Sequence, residues 1–184
     1  MQTEALLAGF GGQGVLFAGQ MLAFAALDAG KEVTWIPSYG PEMRGGTANC
    51  TVIISDEEIG SPMVRNPKAA VIFNLPSLDK YEPTVIKGGV LIANASLINR
   101  PLYRTDLDSV MIPANEIAEE IGNKRLINVI MLGALMVKTR VLSMDELESA
   151  IRKYLPERHK KLLPMNLEAL RRGAAFARGE TVQV

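Results

Sequence analysis

One cysteine, Cys50, and one histidine, His159, are all that the 184 residues contain of either type. A lone cysteine can form neither an intrachain disulfide nor a cysteine-ligated iron–sulfur cluster, and a reducing, cytoplasmic setting is expected. The histidine sits in the basic run RHKK at 158–161, where a solvated helix end is expected. A Ser-His-Asp or Cys-His catalytic set has no support there. No His/Cys/Asp group has metal-ligand spacing, and no Walker lysine follows Gly14. Net charge is absent as well: 20 basic side chains balance 20 acidic ones. No overall field therefore recruits nucleic acid or an anionic membrane. The apolar run 129–137 is too short to cross a bilayer, and glycines interrupt 5–27. No basic stretch follows Met1, so a signal peptide is not expected. Repeats and low-complexity segments are missing too.

What is present is apolar content of 48%, enough for a sizeable core, in a length that suits one domain. Residues 1–184 are expected to form a single unit, with an α/β core over about 1–122 and a helical part over about 126–178.

The chain is organised around residues 3–22. The apolar run 5–8 predicts a buried strand, glycines 9, 11, 12 and 14 a turn, and the alanine-rich stretch 13–29 a helix stopped by Gly30. Free N–H groups at such a helix start favour an anion. Gly9-x-Gly11-x-x-Gly14 matches the dinucleotide fingerprint. That fingerprint also needs an acid about 20 residues on, at the end of the second strand. Here the predicted second strand, 32–36, opens on Glu32 and ends at Pro37, which disfavours a nicotinamide or flavin. A turn that only packs helix on sheet, and a site for another phosphate or carboxylate, both stay open.

Residues 38–47 form a second glycine-bearing loop, predicted to border the same crevice at the carboxyl edge of the sheet. Tyr39, Glu42 and Arg44 are its polar candidates, flanked by Gly45 and Gly46. An internal Glu42–Arg44 pair is the bland alternative. Next, 49–54 predicts an antiparallel hairpin or edge strand, and 56–58 a solvent-facing turn. Strands follow at 69–73, 90–93 and 109–112, with helices at 75–81 and 114–121. The segment 127–137 is apolar nearly all round and predicts a buried helix. Ser143 and Glu146 form a capping box. A last helix is expected to start near Pro164 with Asn166 as N-cap and Gly173 within or just past it.

GFGGQGVLFAG from Gly9, SYGPEMRGGTANC from Ser38 and PMNLEALRRG from Pro164 together resemble the gamma subunit of 2-oxoacid:ferredoxin oxidoreductases. The resemblance implies a three-layer α/β/α Rossmann-like domain with a mostly parallel, mixed sheet. It also implies an enzyme of several subunits that oxidatively decarboxylates a 2-oxoacid, forms acyl-coenzyme A and reduces ferredoxin. The family's thiamine diphosphate, Mg²⁺ and iron–sulfur clusters would lie on alpha, beta and delta partners, leaving the isolated chain inactive. Its loops, Gly9, Gly11, Gly12, Gln13, Gly14, Tyr39, Glu42, Arg44, Gly45 and Gly46, are then expected on the coenzyme A side. The form of both loops leans towards 2-oxoglutarate or branched-chain 2-oxoacids, away from pyruvate and indolepyruvate. A subunit interface left bare implies a homodimer when the chain is alone. A stand-alone nucleotide-dependent oxidoreductase and a purely structural subunit are the competing functions.

Overall fold

The computed structural model describes residues 1–39 and 46–180. These form strands β1 (Gln2–Phe10), β2 (Glu32–Tyr39), β3 (Thr47–Ser55), β4 (Ala69–Ile72), β5 (Val90–Asn94) and β6 (Asp108–Ile112). The helices are α1 (Val15–Asp28), α2 (Leu75–Tyr81), α3 (Ala114–Ile121), α4 (Ile127–Thr139), α5 (Met144–Tyr154) and α6 (Leu163–Arg178). The strands make one mixed sheet in the order β2-β3-β1-β4-β5-β6. β1, β4, β5 and β6 are parallel neighbours, while β3 runs antiparallel between β1 and β2. The α/β class and the mostly parallel, mixed sheet are as expected.

Burial explains the direction of each strand. β4 is apolar and buried along its whole length, as a parallel strand covered on both faces must be. β3 instead alternates, with Ala48, Cys50, Val52 and Ile54 inward under α1. β2 continues through Pro37 to Tyr39 rather than ending at Ile36, because it is the outermost strand. The free side of an edge strand needs no ladder donor, so proline is tolerated there. The hairpin expectation for 49–54 holds, and the edge belongs to β2.

The two sheet faces are unequally clothed. α1, α3, α4, α5 and α6 pack on one face around Leu7, Leu22, Val71, Ile92, Ile130 and Leu147. On the other, α2 and the connecting segments cover Ala8, Ile72, Leu78 and Leu91. The helical part joins the core through glycine contacts. A Cβ on Gly133 would lie 2.0 Å from the Leu170 carbonyl, and one on Gly173 1.9 Å from that of Ile130. α4 and α6 therefore touch backbone to backbone.

Local signals set most helix ends. Gly30 stops α1 at φ 73°, with the Lys31 N–H returning to the Ala26 carbonyl at 3.0 Å. The Ser143–Glu146 capping box is present. Asn166 is not an N-cap. α6 begins at Leu163, and Asn166 lies in its first turn, its Nδ2 donating to the Leu162 carbonyl at 2.8 Å.

Candidate functional site

β1 and β4 are adjacent and parallel, and the chain leaves them on opposite faces, through α1 and α2. Their carboxyl ends thus form the topological switch point, the usual ligand crevice of open α/β sheets. Here a side chain of the protein fills it. Gln13 Oε1 accepts the Phe10 N–H at 2.7 Å and Asn74 Nδ2 at 3.1 Å. Asn74 Oδ1 in turn caps α2 by accepting the Ser77 N–H at 3.0 Å. Gly9 is needed for close approach, since a Cβ there would lie 2.5 Å from Gln13 Oε1 and 2.8 Å from Phe73 Cβ. Helix α1 starts at Val15, two residues later than expected, because Gly14 is left-handed at φ 75° and Gln13 is folded back over the turn.

The second loop joins the first. Tyr39 ends β2, Gly46 precedes β3, and the Gly46 carbonyl accepts the Gly11 N–H at 2.9 Å. The Gly11 amide is therefore engaged within the chain. Tyr39 is 67% exposed at this edge. Glu42, Arg44 and Gly45 lie outside the described residues. Glu32 pairs with Ser55, which also faces Gln2, so it lies at the opposite edge from the glycine turn.

On the helical side of the turn a cavity of about 260 Å³ opens between the starts of α1, α4 and α6. Gly12 and Gly14 form one wall, and Phe17, Leu126, Leu155 and Leu162 make most of the rest apolar. Asn128, 5% exposed, ties this wall together, its Nδ2 donating to the Gly14 carbonyl at 3.1 Å. A Cβ on Gly14 would sit 2.5 Å from that nitrogen, whereas Gly12, at φ 98°, has open space around it. His159 lines the cavity and is half-buried rather than solvated, with Arg158 Nε donating to its Nε2 at 3.2 Å. Arg125, exposed at the same cavity, has no ion-pair partner among the described residues. Asn123, Arg125, Asn128, His159 and Asn166 were absent from the sequence-derived set. They stand more than 100 positions from the glycine turn, and Asn166, though part of the PMNLEALRRG motif, carries there only the expectation of a helix cap.

Other charged clusters hold the fold. Glu82, 1% exposed, accepts Arg100 Nη2 at 2.9 Å and the Tyr103 and Arg104 N–H groups. These bonds fasten the segment after β5 to the end of α2. The turn after β3 pairs Asp56 with Lys31 and with the amino terminus, which hold its carboxyl down at about 2. Among the described residues no three His, Cys, Asp or Glu side chains could hold a metal ion, and no helix is long and apolar enough to cross a membrane.

A family model described as pyruvate ferredoxin/flavodoxin oxidoreductase matches residues 4–176, from β1 through both glycine loops and into the last turn of α6. The chain belongs to that family. It is 41% identical over 179 residues to the ketoisovalerate oxidoreductase subunit VorA of Methanothermobacter marburgensis, covering 96% of this chain and 37% of the relative. It thus spans little more than a third of that protein's length. It is 39% identical over 160 residues to the 2-oxoglutarate synthase subunit KorC of Methanocaldococcus jannaschii, covering 85% and 86% of the two. The keto/oxoacid ferredoxin oxidoreductase gamma subunit of Geobacter sulfurreducens superposes with a TM-score of 0.82 at 30% identity, covering 96% of this chain and 99% of that one. In fold alone, the 2-oxoglutarate:ferredoxin oxidoreductase of Magnetococcus marinus, solved with 2-oxoglutarate, coenzyme A and succinyl-CoA bound, matches at a TM-score of 0.87. Identity there is 24%, over 99% of this chain and 32% of that one.

Proposed function

We infer that this chain is the gamma-type part of a 2-oxoacid:ferredoxin oxidoreductase that converts a 2-oxoglutarate-like or branched-chain 2-oxoacid to its acyl-coenzyme A. The observation that carries this is the pair of glycine loops, bonded Gly11 to Gly46, inside a chain of this family with no catalytic set of its own among the described residues. Mg²⁺ and iron–sulfur clusters, which accompany thiamine diphosphate in the family, do not fit the described residues, among which no three His, Cys, Asp or Glu side chains are grouped. They belong to alpha, beta and delta partners, with ferredoxin as acceptor. Coenzyme A does fit. Beside the turn lie a mostly apolar cavity, the start of α1 and the exposed Arg125. These residues would bind and orient the coenzyme and keep water from its site, and the coenzyme when bound supplies the acyl-accepting thiol.

A stand-alone nicotinamide enzyme is opposed by Gln13, which fills the switch-point crevice, and by Glu32 at the wrong edge. Self-association of the isolated chain is expected from a bared interface, with sedimentation as the measurement that checks it.

The test is co-expression with the neighbouring subunits and purification on a tag carried by this chain. Thiamine-binding and cluster-bearing partners should co-purify. The complex should reduce a low-potential dye only with a 2-oxoacid and coenzyme A, and the isolated chain should be silent. Activity of the isolated chain with NADH would overturn the proposal. Comparing kcat/KM for 2-oxoisovalerate and 2-oxoglutarate then identifies the substrate.

A further inference from the structure

Asn74 lies outside both glycine loops, yet a series of hydrogen bonds runs from it through the first loop to the second. Strand β1 outlasts its parallel neighbour. β4 pairs only with Ala5–Ala8, and the Phe73 N–H gives the last backbone bond on that side to the Ala8 carbonyl at 2.9 Å. The chain then turns at Asn74 into α2, while β1 runs on to Phe10. The Phe10 N–H is thereby left without a backbone acceptor, a costly state for a partly buried peptide group. Side chains supply the missing partner. Gln13 Oε1 accepts that N–H at 2.7 Å, and Asn74 Nδ2, at 3.1 Å, holds the Gln13 oxygen in place. The two amides add one rung where the β1–β4 ladder stops.

Gln13 grips Phe10 a second time. Its own backbone N–H donates to the Phe10 carbonyl at 3.2 Å. That carbonyl and the Gly11 N–H belong to one planar trans peptide, so fixing the first aims the second. The Gly11 N–H donates to the Gly46 carbonyl at 2.9 Å, where the second loop rejoins the sheet.

Asn74 is built to hold. It is 3% exposed, and its Oδ1 accepts the Ser77 N–H at 3.0 Å. A backbone N–H can only donate, so the amide orientation is settled and Nδ2 is the donor to Gln13. Asn94, at the end of β5, directs its amide to Asn115 and Ser96 instead. The link to the glycine turn is therefore particular to Asn74.

We propose that Asn74 is a positioning residue for the coenzyme-dependent step. It touches neither substrate nor coenzyme. Through Gln13 and the Phe10–Gly11 peptide it fixes the first glycine loop against the second. This rests on the function inferred above, which puts the coenzyme beside the glycine turn. It goes further in giving a buried side chain outside both loops a part in that step.

Two substitutions isolate the link. Asn74→Asp and Asn74→Ser both keep an oxygen to cap α2, and neither carries an N–H in the place of Nδ2. Beside a carboxylate, Gln13 either faces it oxygen to oxygen or turns its amide over and abandons the Phe10 N–H. In the isolated chain, amide exchange followed by NMR should be about 10-fold faster at Phe10 and Gly11 in both variants. In the assembled enzyme, dye reduction with a 2-oxoacid is followed against coenzyme A concentration. The coenzyme KM should rise about 10-fold or more, since a small misplacement of a binding loop is costly. The 2-oxoacid KM, and reduction without coenzyme A, should stay within about twofold. Glu82→Gln loosens the opposite end of α2 and should leave the coenzyme KM unaltered.

Unchanged exchange at Phe10 and Gly11 would overturn the link. A coenzyme KM unchanged in both variants, raised equally by Glu82→Gln, or raised together with the 2-oxoacid KM would overturn the role. An unaltered complex whose dye reduction shows no dependence on coenzyme A would instead overturn the inferred function.

Discussion

Gln13 and Asn74 meet side chain to side chain, with Asn74 Nδ2 donating to Gln13 Oε1 at 3.1 Å across the gap between β1 and β4. The same Gln13 oxygen accepts the Phe10 N–H, and the Asn74 oxygen caps α2. One pair of amides thus fixes the glycine turn, the switch point and the start of a helix. Nucleotide enzymes of related architecture leave that gap to their ligand. Filling it moves the open, ligand-shaped space of this chain to the other side of the turn, where α1, α4 and α6 begin.

Replacing either amide should lower stability measurably. Asn74→Ala removes the α2 cap, about 1 kcal/mol, and one donor to Gln13. Gln13→Ala leaves the Phe10 N–H and Asn74 Nδ2 without an acceptor, a loss of about 1–3 kcal/mol. Gln13→Glu keeps an acceptor for both donors and should cost less than Gln13→Ala. Urea unfolding of the four chains and the double variant checks this. Strict additivity of Gln13→Ala and Asn74→Ala would mean that the two residues are not coupled.

Gly12 and Gly14 both have positive φ but differ in surroundings, and their alanine variants should differ accordingly. Gly12→Ala meets open space and carries only the backbone term, roughly 1–2 kcal/mol. Gly14→Ala adds a collision with Asn128 Nδ2 at 2.5 Å and disturbs the cavity wall. Its melting temperature should fall well below that of Gly12→Ala, and equal values would contradict the packing described.

Much of this architecture was legible from local signals. The strand, glycine turn and helix at the start, the Ser143–Glu146 box, and the helix 114–121 closed by Gly122 each depend on a few neighbouring residues. What could not be read depends on distant contacts. Nothing local says that β3 inserts between β1 and β2, or that Pro37 lies inside a strand at the sheet's edge. Gln13 was legible as a loop residue, but its partner is 61 positions away. The cavity is the extreme case. Gly12, Arg125, His159 and Asn166 come together only because α4 and α6 pack against α1's end of the sheet. A lone histidine in a basic run therefore gave no warning of its place.

The contact of α4 with α6 leaves no room for a methyl group. In Gly133→Ala and Gly173→Ala the new Cβ meets backbone carbonyls, at 2.0 and 1.9 Å, which cannot rotate away as a side chain can. Each should lose about 3 kcal/mol, at the upper end for overpacking. Circular dichroism melts of the two variants check this, and unchanged melting temperatures would contradict the backbone contact.

Arg44 lies between Tyr39 and Gly46 in sequence, and those flanking residues stand at the edge that carries the glycine turn. If its guanidinium contacts coenzyme A, Arg44→Lys and Arg44→Ala should both raise the coenzyme KM of the assembled enzyme. A lost charge-assisted contact corresponds to about 10- to 100-fold. Dye reduction by 2-oxoacid without coenzyme A should be nearly unchanged. If Arg44→Ala and Glu42→Ala instead both prevent assembly, the two residues form a structural pair.

Cys50 gives a probe of native packing and a pH prediction with a definite sign. It is fully buried under α1, where a Cβ on Gly19 would lie 2.3 Å from its sulfur. Burial pushes its thiol up to about 12, with Trp35 and the Gly19 backbone opposing the rise. Native chain should resist iodoacetamide at pH 8 and react only as fast as it unfolds. In the unfolded chain the thiol ionises near its ordinary value, about 8.5. From there up to about 12 the unfolded state has released a proton that the native state still holds. This contribution to stability is thus complete below the unfolded value and is lost as pH rises through that window. Urea midpoints of the unaltered chain should therefore fall more steeply above pH 9 than those of Cys50→Ala, which has no thiol to ionise. Parallel declines for the two chains, or rapid alkylation under native conditions, would show that Cys50 is not sealed beneath α1.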